Sequence, residues 1–147
     1  MNKFKTIEVK DIETIISMMQ NFYAIDNYPL DIETSKKLFQ EFISNENLGK
    51  CWLIYDHDEI VGYVILTFVF SFEYQGRIAF LDELYIKENS RGKGFGSQTI
   101  AYIKSQIPKL SLKLLYLEVE KHNKNAQKLY LAHDFEFPKR ELMKFKV

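Results

Sequence analysis

The sequence is short of several things, and each shortage excludes a class of protein. One cysteine, Cys51, stands among 147 residues. No disulfide can form within the chain, so a disulfide-stapled secreted scaffold is excluded. Cys51 lies in the apolar run CWLIY and reads as a packed small hydrophobe rather than a nucleophile. No apolar run approaches the roughly 18 residues of a membrane span. Lys3, Lys5, Glu8, Lys10 and Asp11 interrupt any apolar signal-peptide core at the N-terminus. An excess of either charge is missing too: 20 acidic residues balance 20 basic ones. No global field draws the chain to nucleic acid or to an anionic membrane. His57, His122 and His133 belong to no ligand cluster, so no metal site is expected. These absences describe a cytoplasmic protein with one domain over residues 1–147, long enough to enclose a real core.

What is present is a strongly patterned chain, rich in aromatics with 12 Phe and 9 Tyr. Residues 4–9 read as a short strand. Ile12, Ile15, Ile16, Met19 and Phe22 recur at helical spacing, which predicts a helix over 12–23 behind an Asp11 cap. A loop over 24–32 holds Asn27 and Pro29, and a second helix runs over 33–44 with Leu38, Phe39, Phe42 and Ile43 inward. Strands follow at 51–55, 60–70 and 78–86, separated by polar turns. Gly62 lies inside the second of these and marks a bulge or a close approach. A helix ends before Pro108. Residues 112–119 are nearly continuously apolar, as a strand buried on both faces would be. Asn123 or Asn125 caps one more helix, and 135–137 and 142–147 read as short terminal strands. The order is β-α-α-β-β-β-α-β-α-β-β, an α/β (α+β) fold whose middle strand-helix-strand unit is a right-handed crossover.

Glycine is scarce, with six in the chain, and three of them fall at 92, 94 and 96. They lie between the strand FLDELYI and a helix carrying Ile100, Ile103 and Ile107. Strand, glycine loop and helix make an anion site: backbone N–H groups converge without Cβ obstruction, and the helix N-terminus adds unpaired donors and partial positive charge. Arg91 and Lys93 stand beside it. The ligand expected there is a phosphate or pyrophosphate. No Lys-Ser/Thr pair follows Gly96, which rules out a P-loop. A G-x-G-x-x-G fingerprint starting at Gly92 would need a third glycine where Ser97 stands, so that also fails.

The spacing that fits is R-x-x-G-x-G over Arg91, Gly94 and Gly96. It resembles the pyrophosphate loop of the GNAT N-acetyltransferase superfamily. LEVEKHNKNAQKLYLAHDF over residues 117–135 is similar to that superfamily's strand, Asn, Ala and Tyr stretch, with Asn123, Ala126 and Tyr130 in those positions. FLDELYI looks like its fourth strand in the polyamine and diamine acetyltransferase branch. The element order matches over essentially the whole chain. One departure is Asp134, where the superfamily usually has Gly before Phe.

The resemblance implies a mixed, mostly antiparallel sheet of six to seven strands flanked by about four helices. It also implies acetyl-CoA as co-substrate. Leu84, Tyr85 and Ile86 would line the pantetheine arm in a gap between splayed strands. Arg91, Gly92, Lys93, Gly94, Phe95, Gly96 and Ser97 would hold the pyrophosphate, with Asn123, Ala126 and Tyr130 completing the cofactor site. Tyr130 would give a proton to the departing sulfur. The base would be Asp82, ahead of Glu83 and Glu118; Asp82 and Glu83 are neighbours on a strand, so their side chains should face opposite ways. The acceptor would be a small cationic amine, met by Tyr28, Glu33 and Glu73 together with Asp26 and Asp31, and walled by aromatics such as Tyr23, Phe70, Phe72 and Tyr74. A protein or peptide amine, or a non-catalytic acyl-CoA-binding module, is the alternative. Dimers are common in the superfamily, and a homodimer is the assembly it suggests.

Overall fold

The computed structural model describes residues 3–147. Five strands form one sheet: β1 (Phe4–Thr6), β2 (Gly49–Asp56), β3 (Glu59–Ser71), β4 (Gly76–Ile86) and β5 (Leu115–Leu117). They lie in chain order, antiparallel except for the last pair. Two helices, α1 (Ile12–Ile25) and α2 (Ile32–Ser44), separate β1 from β2. Helix α3 (Phe95–Gln106) makes the crossover from β4 to β5, and α4 (Lys124–Ala132) follows β5. No helix among the described residues is long and apolar enough to cross a membrane.

Alternation along β2 shows why both faces of the sheet are covered. Cys51 and Leu53 join Ile15, Ile16, Met19 and Phe39 in a core under α1 and α2. Trp52 and Ile54 join Phe95, Ile100 and Ile103 in a second core under α3. A strand buried on both sides must be apolar at consecutive positions, as CWLI is. The helical spacing of Ile12, Ile15, Ile16 and Met19 is used as expected, since all four are buried. The inward face of α2 is narrower than its sequence suggests: Phe39 is buried, but Leu38 is 57% exposed.

Two bulges shape the sheet. Between β2 and β3 the register steps from Ile54↔Gly62 to Tyr55↔Ile60, leaving Val61 as the extra residue. Gly62 beside it is needed for close approach. A Cβ there would lie 2.2 Å from the carbonyl oxygen of Tyr85, and that oxygen belongs to backbone that cannot swing away. Gly62→Ala should therefore cost about 1–3 kcal/mol through strain between β3 and β4, read as a lowered midpoint of urea unfolding at unchanged slope.

The second bulge is in β4. Ile65 pairs with Glu83 and Leu66 with Leu81, so Asp82 has no partner on β3. A bulge inserts one residue and shifts the alternation that follows it. Leu81 packs in the α3-side core, whereas Tyr85, four residues on, packs in the α1-side core.

Three expectations are corrected. The strand expected over 112–119 is only Leu115–Leu117 and is half-buried. It pairs with Ala79, Phe80 and Leu81 along one edge and, among the described residues, has no strand on the other. The terminal strands expected at 135–137 and 142–147 do not form, which gives five strands in place of six to seven. Met143, Phe145 and Val147 alternate with lysines, but all three are exposed, and an alternating stretch becomes a strand only where a sheet edge accepts it. The segment is tethered by Arg140, which donates two hydrogen bonds to Glu73 at 2.7 and 3.0 Å. Asp134 meets the demand for a left-handed residue after α4 without glycine: its φ is 70°, and its carboxylate lies 3.2 Å from Lys104 Nζ.

Candidate active site

The register between β4 and β5 stops at Leu81↔Leu117. Beyond it the strands part, with Asp82 and Glu118 the next residues on each. A cavity of about 780 Å³ opens there, between Leu84–Ile86 of β4, the loop before α3 and the first turns of α4. Gly92 (φ 75°) and Gly94 (φ 86°) shape the loop, and Gly94 is the N-cap residue just ahead of α3. Left-handed backbone at these two positions turns the chain so that the helix N-terminus faces the cavity. Arg91 lines the cavity but is pinned: its Nε donates to the Ile86 carbonyl at 2.9 Å, and its guanidinium lies 5.6 Å from the Tyr85 ring centroid. Asn123 accepts from Ala126 N at 3.1 Å and so caps α4. Phe95, Gly96, Asn123, Ala126 and Tyr130 also line the cavity, whereas Lys93 and Ser97 do not. The Ser97 hydroxyl instead pairs with His133 Nε2 at 2.7 Å.

A second cavity, of about 530 Å³, adjoins the first. Tyr130 and Ala126 line both. Tyr130 packs edge-on against Phe135 at 5.7 Å between ring centroids. Burial pushes its hydroxyl pKa up, so it is protonated at neutral pH, the state a proton donor needs. Both Asp82 and Glu83 line the second cavity. Strict alternation would have allowed only one of them to face it, and the bulge at Asp82 removes that restriction.

The two carboxylates differ in surroundings. Glu83 is gripped by two tyrosines: Tyr63 OH donates to Oε1 at 2.7 Å and Tyr23 OH to Oε2 at 2.8 Å. Burial raises its pKa, and the two hydroxyls oppose that by stabilising the anion. Asp82 accepts no such bonds. Burial raises its pKa, and the nearby Glu118 charge adds to the shift.

The wall opposite β4 is made by the end of α1 and the segment after β5. Tyr28 OH bonds to Glu120, and His122 Nε2 lies 3.3 Å from Asp26 Oδ1. Gln127 holds that segment by donating to the carbonyls of Glu120 and Lys121 at 3.1 and 3.0 Å. Tyr28 is thus placed at the cavity, as its sequence position implies. Glu33 and Glu73 are not: Glu33 lies by Lys36 on α2 at 3.6 Å, and Glu73 holds Arg140. Phe70 and Phe72 stack edge-on at the exposed end of the β3–β4 hairpin, away from both cavities.

Sequence reasoning misses Tyr63, Phe22 and Glu120 as site residues. A signal exists for Tyr63. A carboxylate inside an apolar strand needs hydrogen-bond donors, and Tyr63 is a diagonal neighbour of Glu83, whose direct partner is Ile65.

A five-stranded mixed sheet, splayed beside a glycine loop at a helix N-terminus and closed by a half-buried tyrosine, is the framework of an acyl-CoA-dependent transferase. The match of residues 15–135 to the model of the acetyltransferase (GNAT) family gives that framework its assignment: the chain belongs to this family and is an acetyl-CoA-dependent acetyltransferase. Among similar proteins is the D-amino-acid N-acetyltransferase HPA3 of Saccharomyces cerevisiae, 25% identical over 131 residues, covering 86% of this chain and 80% of that one. Integron cassette protein HFX_CASS3, from the mobile metagenome of Cole Harbour Salt Marsh, superposes with a TM-score of 0.88 at 28% identity, over 99% of this chain and 90% of that one. A protein of Clostridium acetobutylicum described as a predicted acetyltransferase, solved with acetyl-CoA, shares the fold at a TM-score of 0.81 and 15% identity, over 97% and 94% of the two chains.

Proposed function

We propose that the protein moves the acetyl group of acetyl-CoA directly to a primary amine of a small cationic molecule held in the second cavity. The observation that carries this reading is the lining of that cavity. It contains Asp26, Asp82, Glu83, Glu118 and Glu120, and no lysine or arginine among the described residues. A cationic amine would be drawn to such a wall. An amino acid would bring a carboxylate with no lysine or arginine of this cavity to meet it. The bridges from Tyr28 to Glu120 and from Asp26 to His122 close one side, and this counts against a peptide chain as acceptor.

The roles follow from the chemistry. Leu84, Tyr85 and Ile86 border the gap as β4 leaves β5, and the N-terminus of α3 with its glycine loop offers backbone donors to the pyrophosphate. The acceptor arrives as an ammonium, with a reference pKa near 10.4, and must lose a proton before its lone pair can attack the thioester carbonyl. Asp82 and Glu83 are the carboxylates that can take it. Tyr130, at the junction of the cavities, gives a proton to the sulfur as the C–S bond breaks.

Free-thiol release from acetyl-CoA across polyamines, aminoglycosides, amino acids and short peptides tests this. Rates with polyamines or aminoglycosides should exceed those with amino acids by at least about tenfold, the equivalent of roughly 1.4 kcal/mol of discrimination. A preference for amino acids would overturn the reading.

A further inference from the structure

We propose that Tyr23 is a catalytic residue that relays the acceptor's ammonium proton to Glu83. The proposal rests on the amine-acetylating function given above and assigns the base within it. Three observations carry it. Tyr23 lines the acceptor cavity, so a bound acceptor can reach its hydroxyl. That hydroxyl already donates to Glu83 Oε2 at 2.8 Å, and its oxygen keeps lone pairs to accept from an ammonium. Finally, the other carboxylate oxygen is fixed by Tyr63 at 2.7 Å, so Oε2 is held where Tyr23 can deliver to it.

The step balances without a further reagent. An N–H bond of the ammonium breaks as an O–H bond forms on Tyr23. The original Tyr23 O–H breaks as an O–H bond forms on Glu83 Oε2. The amine is left neutral with its lone pair free, Tyr23 regains its starting state, and Glu83 has become a carboxylic acid. No tyrosinate accumulates, consistent with a hydroxyl whose pKa is raised by burial and by the Glu83 charge. Asp82 is then free for a different role. Without tyrosine donors and close to Glu118, it can hold the ammonium by charge.

Other charged or titratable groups face this pair from each packed element. Cys51 comes from β2, Tyr63 from β3 and Asp82 from β4. Across the cavity stand Glu118 and Glu120 beyond β5, Asp26 at the end of α1, and Tyr130 on α4. The nearby charges are anionic, and they favour a proton on Glu83. Activity that needs the Glu83 carboxylate is therefore present above its folded pKa and lost as pH falls through it.

The test is the pH dependence of kcat/KM with putrescine, spermidine and kanamycin as probe amines, for wild type, Tyr23→Phe, Glu83→Gln and Tyr63→Phe. The relay predicts that Tyr23→Phe is about 10²-fold slower than wild type at neutral pH. It also predicts that the deficit shrinks by about tenfold per pH unit as the amine deprotonates in solution. Glu83→Gln should show the same shrinking deficit, so the result does not depend on one variant folding. Tyr63→Phe should move the acid limb to higher pH, because a bond that stabilises the carboxylate is gone. A Tyr23→Phe deficit equal at every pH would mark a merely structural role and overturn the relay while leaving the amine reading intact. No thiol release from the wild type with any of the three amines would overturn both.

Discussion

Tyr130→Phe should lower kcat by about 10²-fold, the contribution of one positioned general acid, and leave the acetyl-CoA dissociation constant within about threefold. The reason lies in what the substitution keeps. Tyr130 packs edge-on against Phe135 and contributes to the wall of both cavities. Phenylalanine preserves that ring and removes only the hydroxyl. The loss is therefore confined to the step in which sulfur departs, provided the hydroxyl donates the proton. Calorimetric titration of CoA and single-turnover kinetics separate the two quantities. An unchanged kcat would assign the proton to another donor, and a large loss of CoA affinity would show that the hydroxyl holds ground-state substrate.

Gly94→Val should weaken acetyl-CoA binding by at least about tenfold. Gly94 is the N-cap residue of α3, at φ 86°. A β-branched residue in left-handed backbone is strained by roughly 1–2 kcal/mol, and a tenfold change in affinity needs only about 1.4 kcal/mol. Space is not the obstacle, since the nearest heavy atom to an added Cβ is the Gln98 side chain at 3.5 Å. Relief of strain would rotate the loop, and the N–H groups at the head of α3 would leave their aim. The fold itself should survive, because Gly92, Lys93 and Gly94 lie outside both apolar cores. Retained CoA affinity in a folded Gly94→Val protein would refute the loop's role, and Gly96→Ala makes a contrast. Gly96 has ordinary backbone, and an added Cβ would meet only the tip of Leu129 at 3.1 Å, so that variant should bind nearly normally.

The sequence made some of this legible for a definable reason. Local pattern determined the elements: helical spacing in α1, consecutive apolar residues in β2, and three glycines between a strand and a helix. Each is a short-range fact with one physical outcome. The same reasoning fails where an element depends on a distant partner. The alternating stretch that ends in Met143, Phe145 and Val147 has strand propensity, yet no edge takes it up. Glu73 has the charge expected of an acceptor contact, yet Arg140, 67 residues away, holds it. Period two along a strand sends Asp82 and Glu83 opposite ways, and an unpaired residue set by register with β3 overrules that period.

Periodicity and motif spacing thus determined the α/β order and the glycine loop ahead of α3, and the family resemblance pointed to Tyr130. These depend on residues within a few positions of each other. Only the tertiary structure decided which carboxylates share a cavity and which are engaged. The bulge at Asp82, the two tyrosines on Glu83 and the bridges from Asp26 and Tyr28 join side chains far apart in the chain, as Tyr28 and Glu120 are at 92 positions. The physical reason is that side-chain chemistry in a buried site is set by neighbours in space, and in a sheet those neighbours are chosen by register, which one inserted residue is enough to change.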